Sequence, residues 1–273
     1  MMGINQVEVK GILQKSNLPD TSYVINPYTG CVHGCVYCYA RFMKRFTHHP
    51  EPWGTFLDAK INAPEVLRKQ LQRRREPLAE LVFLSSVTDP YQPPENQYKL
   101  TRRLLEVLLE FQAPISILTK SDLVVRDIDL LQQFRRCTVG LSLMTVDDSL
   151  ARRMEPRAAS PSRRIQALKR LKENGIHTYA FISPFLPGLS DLNRLMEALV
   201  GAVDEVGVEA INTRHGNFQG VEEVLAKHDP LALEECRQLS RDDYYWQALE
   251  AQTRQLAGER LIGLMGFYRH NNA

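Results

Sequence analysis

Between about residue 22 and residue 216, short apolar and β-branched runs alternate with stretches whose apolar residues recur at helical spacing. This alternation constrains the fold more than any other feature of the chain. The runs fall at residues 22–26, 81–87, 115–119, 138–144, 178–183 and 209–213, and the amphipathic stretches at 63–75, 96–111, 124–134, 160–174 and 192–206. Alternation of this kind calls for parallel strands joined by right-handed crossovers. Several boundaries carry their own signals: Asn62 with Pro64, Ser160-Pro161 and Asp191 as helix starts, and Asn174-Gly175 as a helix stop. Six units fit either an open doubly wound sheet or an incomplete (β/α)6 barrel, and periodicity does not choose between them. In both, ligand chemistry belongs at the carboxyl ends of the strands. Cys31, Asp89, Lys120, Thr145, Pro184 and His215 follow the six runs in turn.

Beyond Gly220 the pattern reads as helical only, which divides the chain into a barrel core at 1–216 and a helical extension at 217–273 packed on it. The extension carries six Lys/Arg against nine Asp/Glu, net −3, so the core has +5 of the overall +2. That balance is too even to imply a nucleic-acid or membrane partner by charge alone. With 44% hydrophobic and 24% charged residues, a disordered, collagen-like or coiled-coil chain is excluded. No stretch has the make-up of a signal peptide or the roughly 20 apolar residues of a spanning helix, so a cytoplasmic protein with reduced thiols is expected.

Three of the five cysteines fall within NPYTGCVHGCVYCYAR as Cys31, Cys35 and Cys38, spaced Cys-x3-Cys-x2-Cys. An odd, clustered set reads as a metal site in preference to a disulfide framework, and Gly30 and Gly34 give the backbone freedom to turn the thiols inward. Zinc would need a fourth ligand such as His33, His48, His49 or a distant Cys. A [4Fe–4S] cluster usually takes four thiolates; with three, one iron stays open to a small molecule. Three buried thiols without metal are the plainest alternative. Cys137 and Cys236 read as small packing residues.

The spacing, with Tyr37 just before the third cysteine, resembles the signature of the radical S-adenosylmethionine superfamily. Together with SSVTDPYQPPE and TKS, it is similar to the spore photoproduct lyase-like, DNA repair photolyase-like group over roughly residues 22–216. The resemblance implies a partial (β/α)6 TIM-type barrel with a C-terminal helical extension. It also implies a [4Fe–4S] cluster on Cys31, Cys35 and Cys38, its open iron chelating the amino and carboxylate groups of S-adenosylmethionine. Tyr37 then borders the cofactor, while Ser85, Ser86, Thr88 and Asp89 grip the methionine ammonium. Lys120 faces the carboxylate, and Ser142 with Thr145 reaches the ribose. Tyr91, Gln92 and Glu95 are placed toward substrate. Glu155 and Arg157 bind substrate or clamp a loop by a salt bridge, and the backbone near Pro184 borders adenine without the glycines usual there. Arg214 and His215 close strand six; Tyr39 and Arg41 lie beside the cluster.

The implied activity is reductive cleavage of S-adenosylmethionine to a 5′-deoxyadenosyl radical that abstracts hydrogen from an unidentified small molecule, peptide or nucleic acid. An electron donor such as flavodoxin or ferredoxin is required. The alternatives are a lesion-repair lyase of the spore photoproduct type and a non-catalytic iron–sulfur or zinc module. Against repair, spore photoproduct lyases carry a hydrogen-donating Cys three residues before the Asp of this segment, where Ser86 stands here. A serine O–H is too strong to quench a carbon radical.

Overall fold

In the strand Ile115–Thr119, four of the five side chains are buried, with no polar alternation. A strand covered on both faces belongs inside a parallel sheet. The computed structural model describes residues 3–18, 21–213 and 217–270. Its strands are β1 (Gly3–Val7), β2 (Leu13–Lys15), β3 (Tyr23–Ile25), β4 (Tyr28–Thr29), β5 (Phe56–Lys60), β6 (Val82–Leu84), β7 (Ile115–Thr119), β8 (Cys137–Ser142), β9 (His177–Phe185), β10 (Glu205–Ala210) and β11 (Gly263–Tyr268). Eight form one sheet in the order β11-β10-β9-β8-β7-β6-β3-β2, parallel throughout except for the antiparallel β2–β3 edge. Helices fill the crossovers, so the architecture is the expected partial (β/α)6 barrel with open edges and not a closed ring. A second sheet, β1-β5-β4, stands beside it.

The helix signals act as their chemistry predicts. The Ser160 hydroxyl accepts from Arg163 N, and Asp191 accepts from Arg194 N. Gly175 takes φ +76° just past the helix Pro161–Glu173. Asn62 is different: its side chain exchanges hydrogen bonds with the backbone of Val9, at 2.9 and 3.0 Å, and does not cap the helix Ala63–Gln72.

Other boundaries move. The helix expected over 192–206 closes at Leu199, and the strand expected over 209–213 begins at Glu205. A β-branched and acidic stretch such as Val203–Val208 satisfies either period, and pairing with β9 decides it. The stretch 96–111 breaks at Lys99, whose φ is +49°. The described residues 217–270 hold three helices, Gln219–His228, Pro230–Leu239 and Asp243–Glu259, and then β11, which joins the large sheet beside β10. Strands β1, β2, β4 and β5 also went unread, because strands of two to five residues are too short to show a clear alternation.

Candidate functional site

Cys31, Cys35 and Cys38 lie on one loop that leaves β4 and ends at the 3₁₀ segment Tyr39–Phe46. Two glycines make the loop possible. Gly30 has φ +90°, and a Cβ there would stand 2.6 Å from the Phe56 carbonyl; Gly34 has φ +67°, and a Cβ there would stand 2.6 Å from Arg157 Nη2. Only a residue without a side chain fits such close approach at positive φ.

The loop is clamped from the strand ends. Val32 N donates to Gln92 Oε1 at 2.9 Å, while Gln92 Nε2 donates to Thr88 Oγ1 at 3.0 Å; the Thr88 hydroxyl in turn bonds the Gly30 carbonyl. Arg157 donates to the carbonyls of Val32 and, at 2.6 Å, Gly54. His33 approaches Asp89 at 3.3 Å. Asp89, in the segment that follows β6, also accepts from Thr119 Oγ1 (2.6 Å), Lys120 N (2.8 Å) and Tyr91 N (2.9 Å). Burial pushes the Asp89 carboxyl up, but His33 and these donors outweigh it and hold it down at about 2. Asp89 thus joins the cysteine loop to β7, and its oxygens are already engaged.

Beneath the loop runs a second buried network. The Tyr37 hydroxyl donates to Glu155, and Glu155 pairs with Arg164. Arg164 is 1% exposed, and it also donates to the carbonyls of Ala159 and Ser142, each at 2.7 Å. Burial pushes Glu155 up, yet Arg164, Lys120 and Tyr37 hold it below its ordinary value. Lys120 Nζ lies 2.8 Å from Ser142 Oγ and 5.6 Å from the centre of the Tyr37 ring.

The thiols themselves resist ionisation. Burial pushes Cys35 up to about 12, against the pull of Lys120. Burial, with Asp89 and the other two thiols nearby, carries Cys31 well above its usual range, and burial raises Cys38. Among the described residues, no three His, Cys, Asp or Glu side chains are gathered as one metal ion would hold them. A coordinated cation reverses such shifts, because a metal-bound thiol is deprotonated outright. Lys120 and Arg41 also favour negative charge on Cys38. The donor set therefore fits a centre held by three thiolates.

Ser85 supplies a second test of fit. It directly follows β6 with φ +74°, and its hydroxyl is buried without a hydrogen-bond partner. An orphaned hydroxyl costs roughly 1–3 kcal/mol, and strain of this kind gathers where a ligand completes the site. The orphan stands in the segment expected to grip the methionine ammonium.

The other sequence candidates have partners within the protein. Tyr91, Gln92 and Glu95 are each 0% exposed. Glu95 is committed to Tyr28, to Thr101 N and to Arg126. Glu155 and Arg157 make no pair with each other, though both clamp the loop. Thr145 is buried and caps the turn at Asp147 N. Arg41 donates to the Val36 carbonyl, Tyr39 to that of Ser86. The Ser183–Pro184 bond at the end of β9 is cis. Arg214 and His215 lie outside the described residues. Unread in the sequence was a cluster on the same rim: Ser183 Oγ donates to Glu209, and His270 Nε2 lies 3.2 Å from it. β11 brings His270 there, and with that strand unread no sequence signal pointed to it.

A model of the radical SAM superfamily matches residues 25–199, and the chain belongs to that superfamily. An uncharacterised protein of Methanocaldococcus jannaschii is 39% identical over 193 residues, 71% of each chain. A radical SAM Nα-GlyT isomerase of Pseudomonas phage M6 is 30% identical over 178 residues, 63% of this chain and 36% of that one. Among solved structures, a spore photoproduct lyase complexed with dinucleoside spore photoproduct aligns with a TM-score of 0.68 at 15% identity, covering 98% of this chain and 82% of that one. Streptococcus suis SuiB bound to its precursor peptide SuiA aligns at 0.60 and 17% identity, covering 91% and 48%. The chain is thus a radical SAM enzyme on a partial barrel. No helix of the described residues is long and apolar enough to cross a membrane.

Proposed function

We propose that Cys31, Cys35 and Cys38 hold a [4Fe–4S] cluster and that the strand-end rim binds S-adenosylmethionine beside it. When bound, the pair supplies a 5′-deoxyadenosyl radical able to take hydrogen from a C–H bond. The observation that carries this reading is the three-thiol loop fixed at the carboxyl ends of β6 to β8, with the Ser85 hydroxyl left unmatched at its side. Lys120, steadied by Ser142, presents an ammonium suited to the carboxylate of the methionine moiety, a charge-assisted contact. Tyr37, locked by Glu155, walls the loop from behind. Ser86 and Thr88 contribute backbone and side-chain contacts that hold the rim in place, and Asp89 acts by positioning the loop.

The substrate enters at the same rim, and a small one-electron carrier such as flavodoxin or ferredoxin supplies the reductant. A spore photoproduct lyase of similar fold is complexed with a dinucleoside and SuiB with a peptide, so nucleotides and peptides are the two substrate classes to try. Ser86 stands where repair would need a thiol. Its hydroxyl meets Asn26 Nδ2 at 3.4 Å and offers no weak S–H bond, so direct spore-lesion repair by that route is disfavoured.

The test is anaerobic reconstitution. The wild type should take up about four irons per chain and, with dithionite, release 5′-deoxyadenosine from S-adenosylmethionine; Cys31→Ala should lose both. Stoichiometric zinc with no nucleoside product would overturn the proposal.

A further inference from the structure

The 3₁₀ segment Tyr39–Phe46 begins at the residue after Cys38 and runs outward to the surface. It is apolar where it should be wet: Phe42 is 40% and Phe46 65% exposed. It is also cationic. Arg41, Lys44 and Arg45 lie in it, and no Asp or Glu occurs from residue 39 to residue 50. None of the three makes an ion pair with a carboxylate among the described residues. The next acids along the chain, Glu51 and Asp58, both face His49, at 3.2 and 2.9 Å. Lys44 is held by the Pro50 carbonyl at 3.1 Å, and the Arg45 guanidinium lies 4.7 Å from the Phe46 ring centre and 5.6 Å from that of Phe42. The result is an apolar centre with a fixed cationic rim, the anatomy of a protein contact.

We infer that this segment is the docking surface for a small acidic one-electron carrier protein, a flavodoxin-like partner. The inference rests on the proposed cluster at Cys31, Cys35 and Cys38. Electron transfer weakens steeply with distance, so a donor protein must seat close to the cysteine loop. This segment is the surface covalently continuous with Cys38. Charge complementarity selects an acidic partner, and a patch of this size suits the small, transient contacts of electron-transfer pairs. Single-stranded nucleic acid fits less well. Base stacking draws on a series of aromatic platforms along a groove, whereas here two phenylalanines share one guanidinium on a single short segment. In the transfer itself, one electron leaves the flavin hydroquinone, which becomes the semiquinone, and reduces the cluster by one unit. No bond forms between the proteins.

The test uses the full, cluster-loaded chain, reduced flavodoxin as the probe, and the variant Lys44→Glu/Arg45→Glu. Direct binding by calorimetry should show an affinity for wild type that falls as salt is raised, and a loss of at least tenfold in the variant. Flavodoxin-driven cluster reduction, followed by electron paramagnetic resonance, should slow in proportion, while dithionite, which needs no docking, reduces both proteins equally. Arg73→Glu/Arg75→Glu, a like charge change elsewhere, should leave flavodoxin affinity intact. Unchanged flavodoxin affinity in Lys44→Glu/Arg45→Glu would overturn the inference. So would a loss of oligonucleotide binding in that variant with flavodoxin binding retained. Failure of dithionite to yield 5′-deoxyadenosine in wild type would instead count against the cluster reading, and the binding measurement stands apart from it.

Discussion

Arg164→Met should be among the costliest single changes in this protein, and a second substitution should partly repair it. Arg164 heads the largest fully buried side chains, and it pairs with Glu155, which is itself 2% exposed. Its removal strands a carboxylate in the interior and leaves the carbonyls of Ala159 and Ser142 without their donors. Breaking one partner of such a pair costs about 3–5 kcal/mol, a large share of the roughly 5–15 kcal/mol that separates folded from unfolded states. Glu155→Gln in the wild-type background should also destabilise, since Arg164 then loses its counter-charge. In the Arg164→Met background the same change removes the stranded charge and keeps an acceptor for Tyr37, so stability should rise by about 1–3 kcal/mol. The assay is urea unfolding of the iron-free protein under reducing, anaerobic conditions, followed by tryptophan fluorescence with the slope held constant. If Glu155→Gln destabilises equally in both backgrounds, the two charges do not interact as described. Because Tyr37 lies between Cys35 and Cys38, Arg164→Met should also lower iron uptake.

Asp89 makes stability depend on acid. With its carboxyl held at about 2 against an ordinary 3.8, it contributes about 2 kcal/mol above pH 3.8 that is lost as the pH falls through 2; Asp89→Asn should lose that contribution at neutral pH and flatten this acid limb in unfolding titrations. Ser85→Ala removes an orphaned hydroxyl, so the ligand-free protein should be as stable as wild type or gain up to about 1 kcal/mol, while S-adenosylmethionine affinity by equilibrium dialysis falls; a stability loss would show that the hydroxyl has a partner. Gly34→Ala forces a side chain into positive φ against Arg157 and should cost at least 1–2 kcal/mol, with iron uptake reduced on reconstitution; uptake equal to wild type would show that the loop tolerates the change.

How much of this was legible beforehand follows from the range of the forces involved. Helix starts at Ser160 and Asp191, the glycine stop at 175 and the turn-permitting Gly30 and Gly34 all act within a few residues, so they were readable locally. The roles of polar residues were not. Gln92 and Glu95 look alike in the sequence, and only their partners show that Gln92 fastens the loop through Val32 while Glu95 joins Tyr28 to Arg126. The last strand was hidden for the same reason: Gly263–Tyr268 carries little sequence alternation, and its state is set by the open edge of β10.

The sequence by itself determined the alternation of strand and helix through the six core units and the spacing of Cys31, Cys35 and Cys38, because backbone geometry and thiol chemistry are properties of neighbouring residues. Only the tertiary structure decided that Arg164 neutralises Glu155 across nine residues, that Asp89 ties the loop to β7, and that His270 reaches Glu209 on the rim. Burial and pairing depend on which distant segments come to lie side by side.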